Sequence, residues 1–276
     1  MIAPTALRLF VCAALARTYP RVVWMYRNKT WLLQETLLPI LSVSSFAYVY
    51  KAMMPNPEAY IGYVILGAAM TTFWMNVLWS MGAHLYWERD SGNLELYIMS
   101  PAPMMGILAG MALGGMTTTV VRALSIIGVG VLLFKVPIDP SSWWLLALVF
   151  GLTMSALYGL GMMFASLFLL FGRQAWHTVN LLQEPVYLLT GMNFPVKALA
   201  TMVHFALPGI ALLIPLTAGM DAMRQVLFRR DGLLSVGTEI GLLAVLSVVF
   251  LFFAGRTLRW IERKAKFDGK LTVKWQ

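Results

Sequence analysis

The chain has 276 residues, of which 59% are hydrophobic and only 12% are charged, and its formal net charge is +9. A soluble domain of this length could not bury so much apolar surface, because many of its residues would have to face water. The composition therefore excludes an ordinary soluble domain and predicts a single membrane domain that uses the whole length.

Residues 1–30 are expected to form a cytoplasmic amphipathic helix ahead of the first membrane span. The apolar residues that recur there at helical spacing are Leu7, Phe10, Val11, Ala14 and Leu15. Pro20 is expected to limit the length of this helix, because a proline inside a helix removes one backbone hydrogen bond.

Six hydrophobic segments follow, which predicts an all-α polytopic membrane protein with six transmembrane helices. A crossing of about 30 Å of hydrocarbon needs roughly 20 helical residues at a rise of about 1.5 Å each. The segments are 31–50, 60–82, 104–134, 143–171, a broken fifth segment from about 175, and 233–258.

Basic residues concentrate at the two ends of the chain. Before the first span lie Arg8, Arg17, Arg21, Arg27 and Lys29. Close to and beyond the end of the last span, chiefly in the basic tail 259–276, lie Arg256, Arg259, Arg263, Lys264, Lys266, Lys270 and Lys274. Because Lys and Arg are enriched on the cytoplasmic side, both termini are expected to be cytoplasmic, in the inner membrane of the cell. This topology explains the positive charge without nucleic-acid binding.

The loop 83–103, between the second and third spans, departs from this charge pattern. It carries Glu88, Asp90 and Glu95 against Arg89, although the topology places it in the cytoplasm. A cytoplasmic loop with a net negative charge indicates a feature other than topology, such as a docking site for a protein partner.

The segment 191–231 is too apolar for a solvent loop, and its prolines and glycine interrupt any single spanning helix. Two short re-entrant helices that enter the outer leaflet and return would fit this pattern. Broken backbone at membrane depth is tolerated only where protein or a wet cavity satisfies it.

The sequence contains no G-x-x-x-x-G-K-[ST] loop, no H-E-x-x-H motif and no G-x-S-x-G motif. We therefore expect no ATP site, no metal site and no catalytic residues in this chain. Its one cysteine, Cys12, cannot form an internal disulfide.

Ionisable residues inside predicted spans are the candidates for a substrate path. Arg122 lies in the third span, Glu35 in the first, and Glu184 in the broken fifth segment. A charged group at such a depth usually faces the bundle interior or a cavity, so it serves either a substrate path or a fixed ion pair between helices. The alternative is a side chain that reaches back to the membrane surface.

Glycine recurs at every fourth position of the third span, at Gly106, Gly110 and Gly114. Small residues at this spacing form a groove that lets a second helix approach closely. The pattern predicts helix packing, either within this chain or against another subunit.

Two stretches carry a resemblance to a known family. Residues 86–96, YWERDSGNLEL, with the following Ser100-Pro101, resemble the E-[KR]-x-x-G-[TN]-L-E-x-L…[SA]-P cytoplasmic loop of ABC-2 type permeases. Residues 191–195, GMNFP, followed by Pro208, Pro215 and Arg224, resemble the family's G-x-x-[FY]-P…P…R stretch. The sequence has Gly92-Asn93 where Gly-Thr is commoner in the family.

The resemblance implies a role for each stretch. The first would form a coupling helix that docks into a separate ATPase subunit, and the second would form re-entrant helices on the outer side. The N-terminal helix would correspond to the family's interface helix. The residues implied in ATPase coupling are Glu88, Arg89, Asp90, Gly92, Leu94, Glu95 and Pro101. Those implied along the substrate path are Glu184, Arg122, Phe194 and Arg224.

The function implied is that of a permease subunit in an ATP-driven transporter that exports a hydrophobic drug, a lipid or a lipid-linked glycan by alternating access. ATP and Mg would be bound by the ATPase partner, and a second permease would complete a homo- or heterodimer in contact with membrane lipids. The alternative is an intramembrane lipid-modifying enzyme. Its nearest candidate residues, His204, Asp221 and Arg224, form no recognisable pair of nucleophile and base. A membrane sensor or scaffold has no sequence feature in its favour.

Overall fold

A computed structural model describes residues 6–53, 57–82, 84–136, 138–171, 175–197, 206–229 and 231–268. Within these ranges the chain forms helices and connecting loops, with no β-strand. The helices are α1 (Ala6–Arg27), α2 (Lys29–Met53), α3 (Glu58–Met75), α4 (His84–Asp90), α5 (Asn93–Met99), α6 (Met104–Phe134), α7 (Trp143–Phe171), α8 (Ala175–Leu189), α9 (Ala206–Ala211), α10 (Pro215–Phe228) and α11 (Val236–Asp268). A π-helical segment, Asn76–Gly82, joins α3 to the region of α4.

Five helical stretches in the described ranges are long and apolar enough to cross a membrane. They are Lys29–Met53, Tyr60–Arg89, Met104–Phe134, Trp143–Ser166 and Val236–Trp260. The all-helical polytopic fold is thereby confirmed. The predicted fifth segment corresponds to α8, which has only 15 residues and contains Pro185. At about 1.5 Å per residue it spans roughly 22 Å, so a sixth crossing and the re-entrant helices stay predictions.

The two longest predicted spans in the middle of the sequence coincide with α6 and α7. α6 packs against α1, α2 and α3, whereas α7 packs against α10, α11 and the π-helical segment. Large side chains fill the centre between these two groups, among them Phe73, Trp74 and Leu108, each at most 1% exposed. α10 is buried along most of its length, as expected for a helix enclosed by other helices at membrane depth.

α1 occupies the glycine groove of α6, so the predicted groove is an internal contact of one chain. A Cβ atom added at Gly106 would lie 3.0 Å from the carbonyl oxygen of Phe10, and one at Gly110 would lie 2.4 Å from that of Ala14. Thr18 donates a hydrogen bond of 3.1 Å from its hydroxyl to the carbonyl oxygen of Gly110. Because Gly106 and Gly110 have no side chains, the backbones of α1 and α6 can approach each other closely.

The expectation that Pro20 limits the N-terminal helix is wrong. α1 continues through Pro20 to Arg27 without interruption. Proline costs the helix one hydrogen bond, but the packing of α1 along α6 stabilises the helix on both sides of that position.

Replacing Gly110 by leucine is expected to displace α1 from α6. The new side chain would overlap the backbone of Ala14, which costs about 1–3 kcal/mol when the neighbours cannot move away. Trypsin cleavage at Arg17 and Arg21 in the purified protein measures the displacement, because docking shields these bonds. Gly128→Leu is the matched control on the same helix, since a Cβ there meets open space. Equal cleavage of Gly110→Leu and the unmutated protein would contradict the groove assignment.

Candidate functional site

α4 and α5 form a short helical hairpin within the predicted coupling loop. The amide of Ser91 donates to the carbonyl oxygen of Trp87 at 2.9 Å, and that of Gly92 donates to Arg89 at 3.1 Å, which closes the end of α4. Gly92 then adopts φ +81° at the N-terminal cap of α5. Other residues rarely adopt this conformation, so glycine sets the angle between the two helices.

The carboxylate of Glu88 lies at the centre of a polar cluster that joins α1, α4 and α5. It forms an ion pair with Arg17 of α1 and accepts a hydrogen bond of 2.9 Å from the side-chain amide of Asn93 on α5. The Nε2 atom of His84, one turn earlier on α4, lies 2.9 Å from the same carboxylate. Glu88 is only 7% exposed, so its charge is directed inward and is balanced within the chain.

Tyr97 completes this cluster from α5. Its ring lies under the guanidinium of Arg17, at 5.4 Å. Burial is the main cause that raises the pKa of Tyr97 to about 12, and the nearby charge of Glu88 raises it as well. The hydroxyl therefore stays protonated at physiological pH.

The other predicted coupling residues divide between the interior and the surface. Leu94 is 1% exposed and anchors α5 in the protein, whereas Glu95 is exposed. Pro101 is exposed in the turn after α5, and Arg89 is half-buried. The backbone of Asp90 ends α4, but its side chain lies outside the described part of the structure.

Two exposed apolar residues lie near Glu95 on α5: Leu96 follows it directly, and Met99 lies one helical turn after it. Leu96 is 61% exposed and Met99 is 73% exposed. With Glu95 they form what we call the docking face. Large exposed side chains grouped in this way mark contact surfaces more often than isolated ones do.

A second set of polar contacts lies between helices of the bundle. The hydroxyl of Tyr158 on α7 donates to the side-chain oxygen of Asn76, at 3.1 Å, in the π-helical segment. Asn76 lies against Gly115 of α6, where a Cβ would come within 2.5 Å of its side-chain oxygen. Single π-helical turns occur frequently at functional sites, and this one precedes α4 in the chain.

Arg224 of α10 contacts the segment around Phe194. The guanidinium donates to the carbonyl oxygens of Met192 at 2.9 Å, Phe194 at 3.3 Å and Tyr63 at 3.2 Å. It also lies over the ring of Tyr63, at 4.6 Å. Arg224 is 1% exposed, and it holds the loop after α8 against α3 from inside the bundle.

Arg122 lies in an ion pair with Glu35, with 2.6 Å between the charged atoms of α6 and α2. Its guanidinium also lies over the ring of Trp31, at 5.6 Å. Of the two roles that the sequence left open for Arg122, the structure shows the fixed ion pair between helices. The pairing also explains why Glu35 is present in the first span.

Glu184 is separate from both arginine sites. It is exposed on α8, between Leu181 and Leu188, which are 75% and 58% exposed. The four predicted substrate-path residues thus fall into three places: a clamp that contains Arg224 and Phe194, an ion pair that contains Arg122, and an exposed helix face that contains Glu184.

The residues considered for an enzyme do not assemble into a reactive pair in the described part of the chain. Asp221 accepts a hydrogen bond of 2.5 Å from the amide of Leu233, and Arg224 is occupied by carbonyl oxygens. His204 lies outside the described residues.

Sequence reasoning missed the partners of Glu88. The sequence pattern marks Arg17 only as part of the basic N-terminal flank and Asn93 only as a departure from the commoner Gly-Thr, and it assigns no role to Tyr97. The available signal was the position of Arg17 among apolar residues of α1, four positions before Arg21 and therefore on the same face of the helix.

Taken together, the apolar spans and the hairpin tied to an N-terminal helix define a multi-pass membrane protein with a structured loop at one end of its bundle. The family model for the ABC-2 type transporter matches residues 14–228, and the chain therefore belongs to that family. No curated protein gives a significant match to the sequence. Members of this membrane family are transport subunits, and they usually work with an ABC ATPase partner.

Proposed function

We propose that this chain is the permease subunit of an ATP-driven exporter that moves a hydrophobic or lipid-linked substrate, a drug, a lipid or a glycan, by alternating access. A separate ATPase subunit would bind ATP and Mg. The observation that carries the proposal is the cluster around Glu88, because its side-chain contacts connect the α4–α5 hairpin to α1. Membership of the ABC-2 family supports the same conclusion.

The docking face gives the hairpin a surface for the ATPase. Leu96 and Met99 supply apolar area, and Glu95 supplies a charge at its edge. A short helix that inserts an apolar face into a groove gains affinity from burial and gains register from charge pairs at the rim. Glu88 and Leu94 act from inside, since they hold the hairpin in the orientation that presents this face.

Motion of the hairpin would reach the membrane through two rigid contacts. Glu88 connects the hairpin to Arg17, and the groove at Gly110 connects α1 to α6. An ATPase that moves the hairpin therefore moves α1 and α6 with it, because packed elements transmit displacement by switching between discrete arrangements.

A second permease is the proposed partner for the exposed faces of α8 and α2. A carboxylate such as Glu184 is costly at membrane depth unless another protein surface or water surrounds it. Pairing through α8 would place Glu184 at the subunit boundary, beside the substrate path. In this proposal α8 completes a sixth crossing and both termini are cytoplasmic, in the cytoplasmic membrane.

Disrupting the docking face is expected to abolish ATPase binding. Leu96→Asp with Glu95→Lys places a charge in the buried centre of the contact and reverses the charge at its edge. Tagged protein purified in mild detergent from its native host, followed by identification of the co-purified chains and an ATP hydrolysis assay, measures the effect. We expect the unmutated protein to bring down an ATPase with a Walker motif, and the variant to lose it.

Met53→Asp is the matched control for this experiment. Met53 is also an exposed apolar residue, 77% accessible, but lies at the far end of α2. The ATPase should co-purify with this control as it does with the unmutated protein. Retention of the same ATPase and the same hydrolysis rate by the Leu96→Asp, Glu95→Lys variant would exclude α5 as the docking element.

A further inference from the structure

α6 and α7 follow one another in the chain but have almost no direct packing against each other. The gap between them is closed behind by α3 and α10 and encloses a cavity of about 420 Å³. Every lining residue is hydrophobic or is glycine; deep positions include Ile65, Phe73, Ile127, Phe150 and Met223. Apart from the indole of Trp143 at its edge, the lining side chains carry no hydrogen-bonding group, so the cavity suits an apolar ligand.

The length of the cavity matches one leaflet of a bilayer. α6 lines it from Val120 to Val131, which corresponds to about 16 Å at about 1.5 Å per residue. The hydrocarbon core of a membrane is about 30 Å thick, so one leaflet contributes roughly 15 Å. An extended acyl chain of a membrane lipid has the appropriate length and chemistry.

The cavity opens sideways toward lipid. Leu124 and Trp143 stand at its edge, 62% and 71% exposed, and Trp144 beside them is 78% exposed. Tryptophan rings at the ends of spans favour the level of the lipid headgroups. The mouth near Trp143 therefore lies at the membrane surface, and the end near Phe73 lies toward the bilayer centre.

Exposed basic side chains lie at the rim of this mouth. Lys135 and Arg229 are exposed and directly precede or follow the lining residues Val136 and Phe228. Asp139 pairs with Arg229 at 3.1 Å, which leaves 61% of the arginine side chain accessible. The accessible charges of Lys135 and Arg229 favour an anionic headgroup at the level of the tryptophans.

We propose that this cavity binds one acyl chain of an anionic phospholipid, whose headgroup lies at Lys135 and Arg229. The leaflet, which is the outer one, rests on the topology given under the proposed function. Binding itself does not depend on docking to an ATPase, so it can fail or succeed independently of the transport proposal.

Photocrosslinking of the purified full chain in phosphatidylcholine vesicles tests the proposal. The vesicles contain a small fraction of phosphatidylglycerol with a diazirine at the end of one acyl chain, and mass spectrometry locates the adducts. We expect adducts on Phe73, Ile127 and Phe150. Ala123→Phe fills the cavity and should lower their yield roughly tenfold, whereas Leu132→Phe, at a position 79% exposed on the same helix, should leave it unchanged.

A second variant guards against misfolding. Ala147→Phe narrows the mouth from α7 and should give the same loss if Ala123→Phe does not purify as a monodisperse protein. Adducts spread evenly over lipid-facing helices, and insensitive to both variants, would show contact with bulk lipid only and overturn the proposal.

The headgroup is tested with the same diazirine on phosphatidylcholine. The anionic probe should give the higher adduct yield, and the ratio should approach one when Lys135→Gln and Arg229→Gln are combined. Equal yields for both probes in the unmutated protein would overturn the anionic preference.

Discussion

Removing the charge of Glu88 is expected to uncouple transport from ATP hydrolysis while the ATPase stays bound. Glu88→Gln leaves the docking face of Glu95, Leu96 and Met99 in place but deprives Arg17 of its anion. Loss of one partner from such a half-buried pair costs about 2 kcal/mol, which shifts the docking equilibrium of α1 roughly thirtyfold. Substrate export and substrate-stimulated hydrolysis should both fall, whereas co-purification of the ATPase should not change.

A double-mutant cycle separates this coupling from a general loss of stability. Arg17→Gln and Glu88→Gln should each impair export, and the double variant should be little worse than either one, because both remove the same interaction. Arg8→Gln is the control, since Arg8 is an exposed basic residue on the same helix. Independent, additive effects of the two substitutions would show that the pair is not the connection between hairpin and membrane.

The Glu88 variant and the docking-face variant are expected to fail at different steps. Leu96→Asp with Glu95→Lys should remove the ATPase itself, whereas Glu88→Gln should retain an ATPase that no longer drives export. Glu88 lies in the same motif as Glu95 and Leu96, but Glu88 is buried and the other two are exposed, which assigns them to different steps.

The helices that the sequence predicted well are those with unambiguous local boundaries. α6 begins directly after Pro103, and α7 begins directly after a segment that contains Pro140 and two serines. These signals mark where the apolar runs that form the two helices start. Apolar length alone was sufficient there, because a spanning helix satisfies its own backbone groups whatever its neighbours are.

Side-chain direction in the hairpin was not predictable in the same way. The motif marks Glu88 and Glu95 as equivalent acidic residues, but one faces α1 and the other faces outward. The deciding partner, Arg17, lies 71 positions away in the sequence. Only the packing of α1 into the α6 groove brings it within reach, and the glycine repeat predicted a close helix without naming it.

The paired charges in the membrane illustrate the same limit. Arg122 and Glu35 were both recognised as costly at depth, which predicts that each needs a partner. Their pairing depends on α2 and α6 running side by side, a relation that no local pattern contains. α8 is a different case: the sequence marks the fifth segment as broken, and the helix described there has only 15 residues and contains Pro185.

Replacing Arg224 by methionine is expected to release the loop after α8 and to lower the thermal stability of the protein. The substitution retains length and apolar volume but removes the guanidinium hydrogen bonds to the carbonyl oxygens of Met192, Phe194 and Tyr63. Buried carbonyl oxygens left without donors cost about 1–3 kcal/mol each, so a loss of roughly 3 kcal/mol is expected for the clamp. Arg224→Lys should recover little, because a single ammonium cannot reproduce the planar, multidentate geometry.

Two measurements on the detergent-purified protein detect the release of the loop after α8. One is the melting temperature, and the other is the rate at which a maleimide labels a cysteine introduced as Asn193→Cys. In the background with Arg224 intact, the carbonyl of residue 193 is held by the hydroxyl of Tyr50 at 2.9 Å, so labelling should be slow. Arg224→Met should accelerate it and lower the melting temperature, whereas Arg229→Gln, which breaks an exposed pair, should do neither. The clamp joins α10, the loop after α8 and α3. A faster labelling rate in Arg224→Met would establish Arg224 as the residue that holds this loop in place. An unchanged rate would mean that the surrounding apolar packing, and not the arginine, fixes the loop.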